Sequence, residues 1–516
     1  MLRKIKSGTK SRIINYGLPI VSAILLVLVY PRFNLEFLAW FALVPLFVAL
    51  ENQNLRERLF TGFIFGLVFF SAILYWLLRV TVPGTIVLIL LMSLISAIFV
   101  LLYRPSFSVN LFSIVVVPAA WVVTEYLRAH LFTGFPWALL GYSQYLNLPI
   151  IQISDITGAY GVSFMIVMIN FCIYALIRRL PSRRTYAVVA LVLLAGTFFY
   201  GYSRLKQKYA DTPLAVAVVQ GNIPQQLKWD DRYEETIFNV YSSLSQKAAK
   251  TSPDIIIWPE TSFPFLLGED EGADQRIAAL AQSTNSYLLV GAVREKNSLF
   301  YNSAVLISDE GKFIENYNKI HLVPFGEYVP LEKYVPWLRN RIDKPIGDFG
   351  SSSDFTLFRI KSERKTISSR AIVKDLKFNK FGVLICFEDI FPDLARTFVN
   401  KGASFLVNIT NDAWFGKTSA PFQHVQSSVF RAVENRVPVV RAANTGVSCF
   451  INQKGRIIAS VSEGDEQIFV EGYKQADICP VQIATVYTNV GDIFAYICFG
   501  IIIFSIVIGK RQRMSI

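Results

Sequence analysis

The sequence predicts a membrane protein of two parts, a membrane α-helical bundle of eight transmembrane helices and an α/β domain. Three observations predict it. Apolar residues make up 53% of 516 positions and gather in long, charge-poor runs, as in helices that must satisfy their backbone inside a bilayer. Between about residues 211 and 475 these runs give way to short β-rich stretches alternating with polar helical ones. The basic residues gather at the ends of the apolar runs, on alternate sides.

Eight runs have the length and composition of spans: residues 13–30, 35–50, 59–78, 85–102, 109–127, 160–177, 186–202 and 493–508. The second is short, with Glu36 near its start and Pro45 inside, so it also reads as a re-entrant or buried helix. Charge placement favours a span. Arg3, Lys4, Lys6, Lys10 and Arg12 precede the first run, and Arg56 and Arg58 follow the second. Arg104 follows the fourth, Arg178, Arg179, Arg183 and Arg184 the sixth, and Lys510, Arg511 and Arg513 the eighth. The opposite short loops hold only Arg32, Arg79 and Arg128. The positive-inside rule then places both termini in the cytoplasm and the α/β domain outside. The formal charge of +13 is thereby read as membrane topology rather than as a nucleic-acid footprint. Arg32-Phe-Asn-Leu35 offers no small-residue cleavage site after the first run, so that run reads as an anchor. The expected domains are residues 1–210 with seven spans, 211–475 as the extracytoplasmic domain, and 476–516 with the last span and a cytoplasmic tail.

Within the α/β region, strands are expected near 214–219, 254–258, 287–291, 303–308, 313–319, 381–387, 405–410 and 439–444. Helices are expected near 231–250, 274–284, 393–401 and 421–435. The segment from Pro324 to Phe349 breaks the rhythm with Pro330, Pro336, Trp337, Pro345 and Gly347. It suits a lid, a surface dipping into the outer leaflet through Val335, Trp337 and Leu338, or a loop packed on its own domain.

Three residues stand at or just past the ends of predicted strands, where α/β folds place ligand chemistry: Glu260 in Trp-Pro-Glu-Thr261, Lys319 in Lys-Ile-His-Leu-Val-Pro-Phe-Gly-Glu327, and Cys386 in Cys-Phe-Glu-Asp389. A single buried cysteine is more often core than nucleophile, and single Glu and Lys residues are more often surface charges. Three ordered motifs reverse that prior. A cysteine is mostly protonated at neutral pH, so acyl transfer through it needs a base or a cation close by. Glu260 suits the base, and Lys319 suits the cation facing a tetrahedral oxyanion. Glu327 and Glu388 suit residues that hold Lys319 or tune Glu260.

The other cysteines, Cys172, Cys449, Cys479 and Cys498, form no CxxC pair. In an oxidising compartment Cys449 and Cys479 should be buried or distant from Cys386. His130, His321 and His424 have no ligand spacing, so no metal or other cofactor is expected. His321 shares a strand face with Lys319, which leaves its approach to Cys386 open. Glu125, near the outer end of the fifth span, reads as solvated or paired with Arg128.

These motifs resemble the carbon–nitrogen hydrolase, or nitrilase, superfamily. Trp121-Val-Val-Thr-Glu-Tyr-Leu-Arg128, Thr133-Gly-Phe-Pro-Trp-Ala-Leu-Leu-Gly-Tyr142 and Asn408-Ile-Thr-Asn-Asp-Ala-Trp-Phe-Gly416 extend the resemblance over essentially the whole chain. They are similar to its membrane-bound branch, the apolipoprotein N-acyltransferase family. The resemblance implies a nitrilase-like α-β-β-α sandwich carrying a triad of Glu260 as base, Lys319 as oxyanion-side cation and Cys386 as nucleophile. Trp229, Glu327 and Glu388 match further positions that the family needs. Phe387 departs from the tyrosine of the best-known members, so no phenolic hydroxyl acts there and ring packing is what the position supplies.

What the resemblance implies for function is a two-step reaction in a Gram-negative cell inner membrane, with the catalytic domain periplasmic. A phospholipid, phosphatidylethanolamine by expectation, gives an acyl chain to Cys386. The thioester then passes it to the α-amino group of the N-terminal diacylglyceryl-cysteine of an apolipoprotein. A monomer is expected. The alternative within the same triad is a membrane-tethered amidase or nitrilase that uses water as acceptor. A transporter or lipid-binding receptor is disfavoured, since the spans lack paired broken helices in matching halves and hold almost no internal charge.

Overall fold

The computed structural model describes residues 16–51, 53–103, 112–209, 213–228, 230–328, 349–361 and 378–514. Trp229 and residues 329–348 of the Pro324 to Phe349 segment lie outside the described residues. The chain divides into two compact units. One comprises Met1–Lys206 with Val490–Ile516, and the other Gln207–Asn489.

The first unit is helical. Its longer helices are α1 (Tyr16–Val27), α2 (Leu55–Ile73), α3 (Val82–Leu102), α4 (Ser113–His130), α5 (Ala159–Ile177), α6 (Arg183–Lys206) and, after the second unit in sequence, a helix over Ile493–Met514. Three described helices, α3, α5 and α6, are long and apolar enough to cross a membrane. Shorter apolar helices cover Tyr16–Val27, Glu36–Ala49 and Ile493–Ile508. Asn54 begins α2 with a capping box, its side chain accepting from Glu57 N and Glu57 returning to Asn54 N. Glu125 in α4 is buried rather than solvated, and one carboxylate oxygen accepts the Leu140 amide at 2.7 Å. Arg128, also buried, donates to the carbonyls of Trp137 and Ala138 at 2.8 and 3.3 Å.

The second unit holds two six-stranded sheets. The first runs in the order β12 (Gly472–Ile478), β1 (Leu214–Gln220), β2 (Ile255–Ile257), β3 (Tyr287–Lys296), β4 (Leu299–Ile307), β5 (Phe313–Asn318). The second runs β11 (Ile457–Ser460), β10 (Cys449–Ile451), β9 (Val439–Ala443), β8 (Phe405–Thr410), β7 (Phe378–Ile385), β6 (Phe358–Lys361). In each sheet the central pairs, β1 with β2 with β3 and β7 with β8 with β9, are parallel, and the flanking pairs are antiparallel. Parallel pairing needs crossover helices. α7 (Glu234–Ala249) and α8 (Glu271–Thr284) supply them for the first sheet, and α9 (Pro392–Asn400) and α10 (Ala420–Asn435) for the second.

β1, β2, β8 and β9 are buried at every residue, which is why they read as mainly apolar runs rather than alternating ones, with Asn408 and Arg441 as buried polar members of β8 and β9. Ala217, Val219, Ile256, Trp258, Leu288 and Val290 form one core with Ile237, Phe238, Tyr241 and Leu244 of α7 and Ile277 and Leu280 of α8. Two layers of strands with helices outside them give the nitrilase-like α-β-β-α sandwich. β12 closes the first sheet against β1 from Leu214↔Ile478 to Gln220↔Gly472, so strand structure continues past residue 475.

Candidate active site

β2, β5 and β7 each end at one of the sequence-predicted residues. Pro259 has no amide hydrogen and stops the β2 ladder just before Glu260. Gly291 of β3 lies against this turn. A Cβ there would stand 2.2 Å from the Pro259 carbonyl oxygen and 2.7 Å from the Glu260 Cα. Its own carbonyl accepts the amides of Ser262 and Phe263 at 2.9 and 3.0 Å. Gly291→Ala should therefore displace Glu260, at about 1–3 kcal/mol of overpacking, and turnover should fall by more than stability; an unchanged rate would show that this turn does not position Glu260.

Lys319 follows β5, its amide still bound to Asn302 O at 2.9 Å. Its ammonium is buried and meets two carboxylates, Glu327 Oε1 at 2.9 Å and Glu260 Oε1 at 3.5 Å. Asn302 Nδ2 donates to both, at 2.7 Å to Glu260 Oε1 and 3.0 Å to Glu327 Oε1. Glu260 Oε2 accepts Asn411 N at 2.9 Å, and Glu327 Oε2 accepts Val323 N at 2.8 Å. Burial works against the charge of Lys319, but Glu327 and then Glu260 outweigh it and hold its pKa above the ordinary value. Lys319 is thereby a fixed cation.

Cys386 follows β7 and opens a short 3-10 turn to Ile390 with φ at +53°, a left-handed backbone that costs a non-glycine residue about 1–3 kcal/mol. Glu388, fully buried, braces the turn. Its Oε1 accepts Ile320 N at 2.7 Å, His321 N at 3.0 Å and the Tyr317 hydroxyl at 2.9 Å, and its Oε2 accepts Ile385 N at 2.7 Å. Burial pushes the Glu388 carboxyl up to about 7, against the pull of these amides and of Lys319. Since every group it meets here is a donor, it acts as the accepting carboxylate.

Asp389 anchors the other side of the turn, with Arg441 Nη1 at 2.5 Å, His424 Nε2 at 2.8 Å and the Ser428 hydroxyl. His424 Nδ1 lies 3.1 Å from Asp412. Burial disfavours the imidazolium, but Asp389 and Asp412 raise His424 to about 9 despite Arg441.

The Cys386 thiol is pushed well above its usual range, first by loss of water, then by Glu260 and Asp412, with Lys319 and a hydrogen bond to Thr410 acting the other way. It rests protonated at neutral pH and needs a base to become a nucleophile. Phe387 packs its ring against Phe391 at 5.2 Å and His321 at 6.0 Å. The His321 ring lies 3.9 Å from that of Phe391. No disulfide joins the five cysteines; Cys449 is buried in β10, and Cys479 is half-buried.

Asn302, Asn411 and Lys228 also belong to this cluster, and motif reading missed them. Lys228 Nζ donates to Glu260 O at 2.9 Å. Asn411 lies inside the Asn408 to Gly416 run and Lys228 adjoins Trp229, so both had a neighbouring signal; Asn302, in mid-strand, had none.

A Glu, Lys and Cys cluster at the strand ends of an α-β-β-α sandwich defines the class as a carbon–nitrogen hydrolase-type protein. The family model described as carbon–nitrogen hydrolase matches residues 215–482, and the apolipoprotein N-acyltransferase N-terminal domain matches 22–172. The apolipoprotein N-acyltransferase of Geobacter metallireducens is 38% identical over 506 residues, covering 94% of this chain and 93% of the relative. That of Pasteurella multocida is 30% identical, covering 94% of each. The chain belongs to the apolipoprotein N-acyltransferase family. Among solved structures, Saccharomyces cerevisiae Nit3, a nitrilase-superfamily member, is similar with a TM-score of 0.39 and 19% identity, over 55% of this chain and 97% of that one. A Nesterenkonia amidase of the same superfamily is similar with a TM-score of 0.38 and 15% identity, over 55% and 95%.

Proposed function

We propose that the protein transfers an acyl chain from a phospholipid to the α-amino group of the diacylglyceryl-cysteine of an apolipoprotein, through a thioester on Cys386. The observation that carries this is the buried Lys319 ammonium held between Glu260 and Glu327, in a cluster whose charges act on a protonated thiol. In the first step Glu260 takes the thiol proton, and Sγ attacks the ester carbonyl. Lys319 steadies the oxyanion, the ester C–O bond breaks, and Glu260 returns the proton to the departing lysophospholipid oxygen. In the second, the neutral amine attacks the thioester and gives a proton to Glu260. The C–S bond then breaks, and Cys386 recovers its proton. Glu388 holds the nucleophile's turn, Glu327 holds Lys319, and Phe387 packs beside them; the family resemblance adds Trp229. Phosphatidylethanolamine is the expected donor and no cofactor is needed.

The domain is periplasmic in this reading, the chain spans an inner membrane eight times, and both termini are cytoplasmic. Support comes from the apolar helices and from the basic residues at alternate span ends. A cysteine tag at Ser352 should react with an impermeant reagent from the periplasmic side; labelling only from the cytoplasm would reverse the topology.

Mass spectrometry of the full chain purified with phosphatidylethanolamine tests the chemistry. An acyl adduct on Cys386 should accumulate, vanish in Cys386→Ser, and clear on adding a diacylglyceryl peptide amine. No adduct, or one that persists in Cys386→Ser, would sink the transferase reading. Clearance by water alone at the same rate would favour an amidase.

A further inference from the structure

We propose that Lys228 is a second cation of this site, a positioning residue that fixes the main chain of Glu260 and whose charge balances the cluster around Cys386. The inference rests on the acyl-transfer reading above for its meaning, though not for its test.

The geometry is specific. Residues 225–228 form a turn after β1, and Lys228 is 7% exposed. Its ammonium donates to the Glu260 carbonyl oxygen at 2.9 Å and to Thr261 Oγ1 at 3.1 Å. Thr261 has φ at +45°, so the backbone leaving Glu260 is left-handed and gains from an outside tether. The same turn reaches the site a second time. Gln225 Oε1 accepts Asn411 Nδ2 at 2.6 Å, and the Asn411 amide holds Glu260 Oε2. The base is thus fixed through its carboxylate by Asn302, Lys319 and Asn411, and through its main chain by Lys228.

The two lysines differ in partners. Lys319 meets two carboxylates, whereas Lys228 donates to two neutral oxygens. The titratable groups that act on Lys228 are Glu260, past the end of β2, and Cys386, past the end of β7. Burial outweighs them and brings the lysine down to about 8. Glu260 is shared with Lys319, which is paired in turn with Glu327. The charges of Glu260 and Glu327 are matched by those of Lys319 and Lys228. Losing the Lys228 charge leaves an excess negative charge where a thiolate must form, with Asp412 already acting against it.

The sign of the pH effect follows. The cation is the productive form, so its contribution is full below pH 7 and is lost as pH rises through about 8. Between pH 7 and pH 9 the cationic fraction falls about tenfold. Acylation of Cys386 by phosphatidylethanolamine should fall by about that factor in the wild-type full chain. In Lys228→Arg, whose cation does not titrate there, the decline should be less than about twofold. Lys228→Met should be slower by about tenfold at pH 7 and lack the alkaline decline. Iodoacetamide alkylation of Cys386 gives a second readout that needs no lipid, and it should slow by about tenfold at pH 7 in Lys228→Met but not in Lys228→Arg. An alkaline midpoint shared by wild type and Lys228→Arg, or wild-type rates in Lys228→Met, would overturn the proposal. If Lys228→Met does not fold, Lys228→Arg decides. A wild-type chain that forms no acyl adduct would count against the acyl-transfer reading, and alkylation would still decide on Lys228.

Discussion

Lys319→Met is expected to slow thioester formation by a factor of about 100 to 1,000 and to lower the melting temperature together with the rate. Two effects combine. The oxyanion loses a cation that burial and two carboxylates had fixed in place. The folded state keeps Glu260 and Glu327 joined through Asn302 with nothing positive between them, and breaking a buried pair in this way costs about 3–5 kcal/mol. Single-turnover acylation and thermal melts would check this. A variant that kept its rate would remove Lys319 from the mechanism.

Glu388→Ala should be nearly as damaging to turnover although its carboxylate never needs to meet substrate. It removes the acceptor for Tyr317, Ile320, His321 and Ile385 at once. Each buried donor left unpaired costs about 1–3 kcal/mol, and the turn that presents Cys386 loses its brace. Rates at least about 100-fold lower are expected, since displacement of reacting groups by about 1 Å has that effect. Melting and turnover of Glu388→Gln make the companion measurement. The amide keeps one accepting oxygen but sets an NH2 against amide donors, so it should recover only part of the loss. A fully active Glu388→Ala would show that the turn holds without its clamp.

The two kinds of structure were unequally legible in the sequence. Central strands such as β1 and β8 were plain, because burial on both faces makes a run of apolar residues whatever its partners. β6, β10, β11 and β12 did not stand out. β6 and β12 alternate or carry polar residues, β10 has three residues, and β11 is half-exposed, so each owes its place to pairing. Glu260 and Cys386 could be picked out since each follows an apolar run, and Lys319 by the Lys319 to Glu327 motif that it opens, and the fold brings Glu260 and Lys319 into one ion-pair cluster. Asn302 could not, for a mid-strand asparagine becomes informative only when Glu260 and Glu327 both arrive at its amide. Nor could the doubly anchored His424, which depends on Asp389 and Asp412 meeting it from different segments.

The helical part was legible as apolar composition more than as a count. α2 carries Arg56, Glu57 and Arg58 in its first turn, so hydropathy and helix limits diverge at that end. Charge placement speaks to orientation, whereas helix length speaks only to the ability to cross, and the two kinds of information come from different residues.

The left-handed backbone at Cys386 sets reactivity against durability. Glycine adopts that conformation without a Cβ penalty, so selection for a longer-lived fold alone would drift away from cysteine at position 386. Keeping a side chain there ties the sequence to a local energy minimum that is chemically useful and conformationally second-best. Stabilising changes elsewhere in the second unit are then tolerated more readily than any relaxation of this one turn.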